Sequence, residues 1–288
     1  MKKSQDRKYY WLFLLPCLIA LTAVIFLPFF YGIYTSFTDS DGFNMTFIGI
    51  ENYIKLAKDK SFLSSIWFTV RFALVSVIGV NVIGLGLGLL VTRRRNKLST
   101  FFRTSFFVPN LIGGIILGFI WQFIFIQVFE GLAKLTGLSF FEGWLASETT
   151  GFWALVIVFL WQMSGYIMII YISFLNNIPY ELIEAARIDG ANSWQTFWKV
   201  KFRLLAPAFT ISLFLTLANA FKVYDLNLSL TNGGPFGSTE MVAMNIYNTA
   251  FKQYHQGYAQ AKGIIYLLLI AAVSLTQMYF SRKREVDL

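Results

Sequence analysis

Few residues in this chain could take part in bond-making chemistry. The sequence has one histidine, His255, and one cysteine, Cys17. These are too few to build a catalytic group or a metal site that depends on histidine or cysteine. The carboxylates fall mostly in polar segments, which leaves an enzyme embedded in a membrane without a catalytic pair. No G-x-x-x-x-G-K-S/T phosphate loop occurs. The sequence therefore predicts no catalytic residue, no metal ligand and no cofactor bound by this chain.

Polar side chains inside apolar segments are the more informative group. A charge at the centre of a bilayer costs about 2.5–3.5 kcal/mol on insertion scales, so each such residue needs a reason. They can hydrogen-bond a neighbouring helix, extend to the membrane surface as Arg71 is expected to do, or line the path of a polar solute. Lys222 and Asp225 can also pair across one helical turn. The group consists of Arg71, Asn81, Asn110, Gln122, Gln162, Asn219, Lys222 and Asp225.

Long apolar segments must position these side chains. Of the 288 residues 56% are hydrophobic and 14% are charged, whereas soluble domains carry about 25% charged residues. About 20 apolar residues cross a bilayer as a helix, and barrel strands would alternate in polarity instead. The first segment is too long for a signal peptide and has no small-residue cleavage site. We predict an all-α integral membrane protein with six spans, at about 11–35, 65–92, 104–127, 152–174, 206–228 and 263–281.

Basic residues indicate how the spans are oriented. They cluster at 2–8, at 93–97 with Arg103, between 187 and 203, and at 282–284. These clusters fall on alternate sides of the six-span arrangement, and basic loops face the cytoplasm. Both termini and the segment at about 175–205 are therefore expected to be cytoplasmic. Topology and contact with anionic lipid head groups account for the net charge of +9 without a nucleic-acid partner.

The segment 184–203, EAARIDGANSWQTFWKVKFR, interrupts the apolar chain with a helix, a glycine and a second helix. Glu184 lies in the first helix, and Gly190 suits a left-handed residue that ends it. Asn192 and Gln195 have the spacing of a capping box that begins the next helix. Its aromatic face could lie on lipid head groups, although the alanine-rich first half has little apolar area for this. The residues expected on that face are Trp194, Phe197, Trp198 and Lys201.

This segment resembles the EAA loop of the membrane subunits of ABC importers. The pattern is Glu184-Ala185-Ala186 followed by Asp189-Gly190-Ala191, although Arg203 stands where the family usually has a proline and Pro207 follows. Other segments are similar to the carbohydrate subfamily, the maltose and glycerol-phosphate type. They are IGIENYIKL at 48–56, FFVPN at 106–110, IPYELIEAA at 178–186, LTNGGPFGSTE at 230–240 and GYAQA at 257–261.

The resemblance implies a type I ABC importer permease fold in the cell membrane of a prokaryote. It also implies the partners: a second homologous permease subunit in a heterodimer, two ATPase subunits that use ATP and Mg, an outside solute-binding protein, and the lipid bilayer. The EAA loop would rest in a cleft of the ATPase and move with it. The coupling residues implied in this way are Glu184, Ala185, Ala186, Asp189, Gly190 and Ala191.

Alignment with maltose-type permeases also implies a carbohydrate path. The aligned positions are Asn110, Gln162, Met163, Tyr166, Thr216, Ala220 and Val223. Asn110, Gln162, Tyr166 and Thr216 can bind hydroxyl groups, and Asn219 and Lys222 could compensate for the apolar Ala220 and Val223. Lys222 would favour an acidic sugar unless it pairs with Asp225. The expected function is import of a sugar or oligosaccharide. A transporter that works alone on an ion gradient is the alternative, and it leaves the EAA loop unexplained.

Overall fold

The computed structural model describes residues 2–93 and 97–283, with side chains from Tyr10 onward. Several basic side chains used for the orientation argument lie outside this described part, namely those at 2–8, 94, 95 and 284. The cytoplasmic placement of both termini therefore stays a prediction.

The described chain is mostly helical, with one short hairpin after the first span. The hairpin pairs β1, Thr38–Ser40, with β2, Met45–Phe47, in antiparallel register. The helices are α1 Lys2–Leu21, α2 Leu27–Thr35, α3 Glu51–Leu56, α4 Lys60–Thr92, α5 Lys97–Phe107, α6 Gly114–Phe123, α7 Phe129–Thr136, α8 Glu148–Asn176, α9 Tyr180–Ile188, α10 Ser193–Thr196, α11 Phe202–Leu204, α12 Ala206–Phe221, α13 Asp225–Leu230, α14 Val242–Tyr247 and α15 Gln256–Arg282. Short π-helical turns join α1 to α2, α6 to α7 and α10 to α11.

Five helices of the described chain are long and apolar enough to cross a membrane, and a bent pair brings the number to six. The bent pair is Ser193–Leu204 with Ala206–Phe221, at 66° to each other. The other five are Tyr10–Ser36, Lys60–Thr92, Gly114–Thr136, Glu148–Asn176 and Gln256–Arg282. The prediction of an all-α membrane protein with six spans is confirmed.

The third and fifth spans differ from their predicted bounds because of proline and helix breaks. The segment 104–127 is not one helix: α5 is followed by a 3-10 turn, Val108–Leu111, and by extended Ile112 and Gly113. Pro109 has no N–H to donate and cannot continue a helix, so the apolar helix begins only at Gly114. In the fifth span Pro207 lies in the first turn of α12, and the helix ends at Phe221 instead of continuing to 228.

The chain forms two compact units, Met1–Lys60 with Ile246–Leu267, and Ser61–Asn245 with Leu268–Leu288. In the larger unit, α4 packs on α8 through glycines that admit close backbone approach. A Cβ atom added at Gly84 would lie 2.9 Å from Cγ2 of Ile167, and one at Gly88 would lie 3.4 Å from Cβ of Tyr171. Gly84 and Gly88, one turn apart in an apolar span, therefore serve helix packing.

In the smaller unit, polar contacts fasten the hairpin region to the start of α15. A Cβ atom on Gly257 would collide with the carbonyl oxygen of Thr38. The Lys262 ammonium lies 3.0 Å from the Asp59 carboxylate, which also accepts a hydrogen bond of 2.7 Å from the Tyr258 hydroxyl. In the hairpin turn, hydrogen bonds from the backbone N–H groups of Asn44 and Phe43 lower the pKa of the Asp41 carboxyl.

Candidate functional site

The first half of residues 180–204, which we call the EAA segment, is a helix without buried side chains that ends in a tight glycine turn. Helix α9 follows Pro179 and has no buried residue. The N–H of Gly190 donates to the Arg187 carbonyl at 3.0 Å, and the N–H of Ala191 donates to the Ala186 carbonyl at 2.9 Å. These two bonds form a Schellman motif, which requires a left-handed residue at position 190. Gly190 has a φ of +80°, so the expected left-handed conformation is confirmed.

The second half begins with the capping box expected from the sequence. The Asn192 side chain accepts a hydrogen bond of 2.9 Å from the Gln195 backbone N–H, and the Gln195 side chain accepts one of 2.9 Å from the Asn192 N–H. The helix widens into a π turn at Phe197–Lys201. The ring centroids of Trp198 and Phe202 are 4.7 Å apart, and those of Phe202 and Phe209 are 5.0 Å apart. Aromatic packing therefore fixes the second half against the start of the fifth span.

The EAA segment exposes both apolar and charged side chains. Ile188 is 81% exposed and Trp194 is 70% exposed. Glu184, Ala185 and Asp189 are exposed as well, and Ala186 and Ala191 are half-buried. Large apolar side chains this exposed, near charged residues in the sequence, favour a surface for contact with another molecule.

A second feature is a polar cavity of about 350 Å³ in the larger unit. This volume is within the range of small-molecule sites. The turn at Val108–Leu111, helix α8, the end of α12 and the start of α13 each contribute to its wall. The residues that line it are Asn110, Gly114, Phe159, Gln162, Met163, Asn219, Lys222, Val223, Tyr224, Asp225 and Leu226.

Two amides of this cavity are held by the backbone through their N–H groups. The Gln162 amide nitrogen donates to the Ile112 carbonyl at 3.0 Å, and the Asn219 amide nitrogen donates to the Leu215 carbonyl at 2.8 Å. The oxygen of each amide accepts no hydrogen bond from the residues that the structure describes. Each of these oxygens is therefore available to a ligand that can donate a hydrogen bond.

Lys222 and Asp225 both line the cavity, but the predicted ion pair between them is wrong. Neither residue takes part in an ion pair within the described chain, in contrast to Arg71 with Glu148 and Lys262 with Asp59. The expectation assumed one continuous helix, in which residues three apart face each other. Helix α12 instead ends at Phe221, and Tyr224 has a φ of −128° and a ψ of −57°, outside helical geometry. This break separates the two side chains.

Two candidate path residues do not line the cavity. Thr216 is fully buried; its hydroxyl donates to the Ser212 carbonyl at 2.7 Å and receives a long hydrogen bond of 3.4 Å from the Asn81 amide. The Tyr171 hydroxyl donates to the same Asn81 side chain at 2.8 Å. Thr216 is therefore part of a buried cluster between α4, α8 and α12. Tyr166 is half-buried on α8, one turn beyond Gln162, and is not among the lining residues.

Arg71 and Gln122 illustrate the structural use of polar groups in spans. Arg71 was expected to extend to the membrane surface, and its partly exposed guanidinium lies 2.7 Å from the Glu148 carboxylate in the first turn of α8. The Gln122 amide donates to the Leu230 carbonyl at 3.2 Å. Phe159 and Tyr224 were missed as cavity residues, and Asp225 was named only among the polar span residues, as a possible partner of Lys222. The signal that could have placed Asp225 in the cavity wall is the helix break before it, which sequence periodicity alone did not reveal.

Comparison with known proteins places the chain among transport proteins. Residues 81–286 match the family described as "Binding-protein-dependent transport system inner membrane component". The probable starch degradation products transport system permease protein of Thermoanaerobacterium thermosulfurigenes is 51% identical over 284 residues, which cover 97% of this chain and 96% of that protein. The multiple sugar-binding transport system permease protein of Streptococcus mutans is 34% identical, with 99% of each chain covered.

The fold also has a counterpart among solved structures. A chain of a bacterial ABC transporter involved in the import of the acidic polysaccharide alginate superposes with a TM-score of 0.85 and 19% identity, covering 98% of this chain and 99% of that chain. The predicted ABC-importer fold is confirmed by this likeness. With 206 of the 288 residues inside the family match, this chain belongs to the inner-membrane components of binding-protein-dependent transport systems.

Proposed function

We propose that this chain is one of two membrane subunits of an ATP-driven importer that carries a sugar or oligosaccharide across a prokaryotic cell membrane. The carbohydrate class rests on the names of similar permeases, which refer to starch degradation products and to multiple sugars. The second membrane subunit is a homologue of this one, and a solute-binding protein delivers the sugar from outside. Both termini face the cytoplasm.

The EAA segment is the observation that carries the proposal. A nine-residue helix with no buried side chain is a poor element of a monomeric membrane protein, because its apolar groups remain in water. A cleft in a soluble ATPase would cover Ile188 and Trp194, which are strongly exposed. Glu184, Ala185, Ala186, Asp189, Gly190 and Ala191 would form the contact. The ATPase subunits bind the ATP and Mg, and this chain has no catalytic role.

The polar cavity supplies this chain's share of the sugar path. Asn110, Gln162, Asn219 and Lys222 line it together, and their amide and ammonium groups can hydrogen-bond hydroxyl groups. Tyr224, which is half-buried, adds ring surface of the kind that packs on the face of a sugar. The second membrane subunit would complete the wall of the path.

Purification and transport together test this function. The tagged chain, expressed with its neighbouring genes, should co-purify with an ATPase and a second permease. Liposomes that contain this complex should take up the trisaccharide maltotriose only with ATP and the loaded binding protein. Uptake by the purified chain alone, driven by an ion gradient, would instead support the secondary transporter.

A further inference from the structure

Lys222 and Asp225 place one positive and one negative charge in the same cavity without pairing. Neither position is among those that align with the sugar-binding residues of maltose-type permeases. Their presence therefore calls for an explanation beyond a general affinity for sugars.

Each charge has a favourable position at the end of a transmembrane helix. Lys222 is the residue that follows the last turn of α12, where the helix dipole is negative. Asp225 lies beside the first turn of α6, where the dipole is positive. A Cβ atom added at Gly114 would lie 2.9 Å from the Asp225 Cβ and 3.7 Å from its Oδ2. The two helix ends therefore favour the two charges separately, without a salt bridge between them.

The remaining polar groups of the cavity favour a ligand that donates hydrogen bonds. The amide oxygens of Gln162 and Asn219 are acceptors that the described chain leaves available. The Asp225 carboxylate is a third acceptor, and Lys222 is a donor. A hydroxyl group can donate and accept, so it satisfies both kinds. A carboxylate or phosphate group can only accept, and it would meet Asp225 with like charge.

We infer that Lys222 and Asp225 make this cavity selective for neutral, hydroxyl-rich solutes over anionic ones, with Asp225 as the residue that excludes anions. The inference rests on the proposed function and adds the charge class of its substrate. Asp225 balances Lys222, so the cavity has no net charge from this pair. Without Asp225, Lys222 would attract an anion.

Weak binding of two matched probes to the purified complex tests this inference. The complex of both permeases and the ATPases, without the binding protein, is titrated with maltotriose and with the same trisaccharide carrying one glucuronate. Ligand-observed NMR gives both affinities. The wild type should prefer maltotriose. Asp225→Asn should lower this preference about tenfold, the scale of one removed charge a few ångströms away. Lys222→Gln should raise it, and the double variant should return toward the wild type.

Ionic strength and a control variant separate charge from shape. Added salt should shrink the effect of Asp225→Asn, because the interaction is electrostatic. Glu130→Gln removes an exposed carboxylate that does not line the cavity, and it should leave the preference unchanged. If Asp225→Asn does not assemble, Lys222→Gln still carries the opposite prediction.

Three results would overturn the inference, and they have different consequences. An unchanged preference in Asp225→Asn, with maltotriose still bound, rejects charge selection and leaves the import function standing. A wild-type complex that prefers the acidic trisaccharide also rejects the inferred exclusion of anions and leaves the import function standing. A wild-type complex that binds neither saccharide contradicts the sugar import itself, and the inference fails with it.

Discussion

Thr216 is a polar residue of a membrane span that serves packing between helices. Its hydroxyl is fully buried and bridges the Ser212 carbonyl and the Asn81 amide, away from the polar cavity. A buried hydrogen-bonding group that loses its partner costs about 1–3 kcal/mol. This hydroxyl therefore contributes to the stability of the helix bundle and not to sugar binding.

We expect Thr216→Val to lower the thermal stability of the purified complex and to leave its affinity for maltotriose unchanged. Valine keeps the shape but leaves the Asn81 amide with one partner fewer. The effect should correspond to about 1–2 kcal/mol. Thr100→Val, at an exposed position of α5, is the matched control and should change neither quantity. Loss of sugar binding with unchanged stability would show instead that Thr216 lines the path.

Residues of the EAA segment were predictable from sequence because their roles are local. A Schellman glycine and a capping box are set by neighbours within a few positions, so Gly190, Asn192 and Gln195 could be identified without knowledge of the fold. The side of a buried helix that faces a cavity depends on its rotation against other helices. For that reason Thr216 was assigned to the sugar path, and Asp225 was assigned to a pair with Lys222 and not to the cavity wall.

Close contact between two helices sets the position of the cavity wall. A Cβ atom on Gly165 of α8 would overlap the backbone carbonyl of Phe106 at the end of α5. This approach brings the following turn, with Asn110 and Ile112, next to Gln162. A backbone carbonyl cannot move aside as a side chain can, so no larger residue fits without displacing one helix.

We expect Gly165→Ala to destabilise the complex by roughly 1–3 kcal/mol, the usual cost of an overpacked core, and to weaken sugar binding. Thermal unfolding in detergent and maltotriose titration measure the two effects. Gly86→Ala in α4 is the control, since nothing lies within 4 Å of the added methyl group. It should be neutral or stabilising by up to about 1 kcal/mol, because alanine favours a helix. Equal behaviour of the two variants would contradict the packing account.

The six spans could be predicted because hydrophobic length is a strong signal. The ends of a span could not be predicted where the helix stops inside an apolar run. Pro109 interrupts the third span within a stretch that is apolar on both sides, and the fifth span breaks at 222–224 without a proline or glycine. Contacts with other helices decide such breaks. At Gly114 and Gly118 of α6, an added Cβ atom would meet Asp225 and Ser229 of α13.

The orientation of the whole molecule in the membrane can be tested with a single cysteine in the EAA segment. Lys199 is exposed in the EAA segment, whereas Gln195 closes the capping box and is a poor position to change. In a chain with Cys17→Ser, we expect Lys199→Cys to react with a membrane-impermeant thiol reagent only from the cytoplasmic side. The chain with Cys17→Ser alone gives the background level of labelling. Reaction from outside intact cells would reverse the assigned topology.

The central claim is that the EAA segment transmits the state of the ATPase to the membrane spans. Gly190 tests it because open space surrounds this residue, so a substitution acts through the backbone alone. A left-handed conformation costs an ordinary residue about 1–2 kcal/mol, whereas asparagine adopts it more readily. Gly137 has a φ of +68° and equally open surroundings, but it lies outside the EAA segment.

The most direct measurement is ATP hydrolysis by the reconstituted complex, with and without the loaded binding protein. We expect Gly190→Val to assemble normally but to lose both stimulation by the binding protein and sugar uptake. Gly190→Asn should keep most of the stimulation, and Gly137→Val should keep all of it. Full stimulation and full uptake in Gly190→Val would contradict the assignment of this segment as the coupling element.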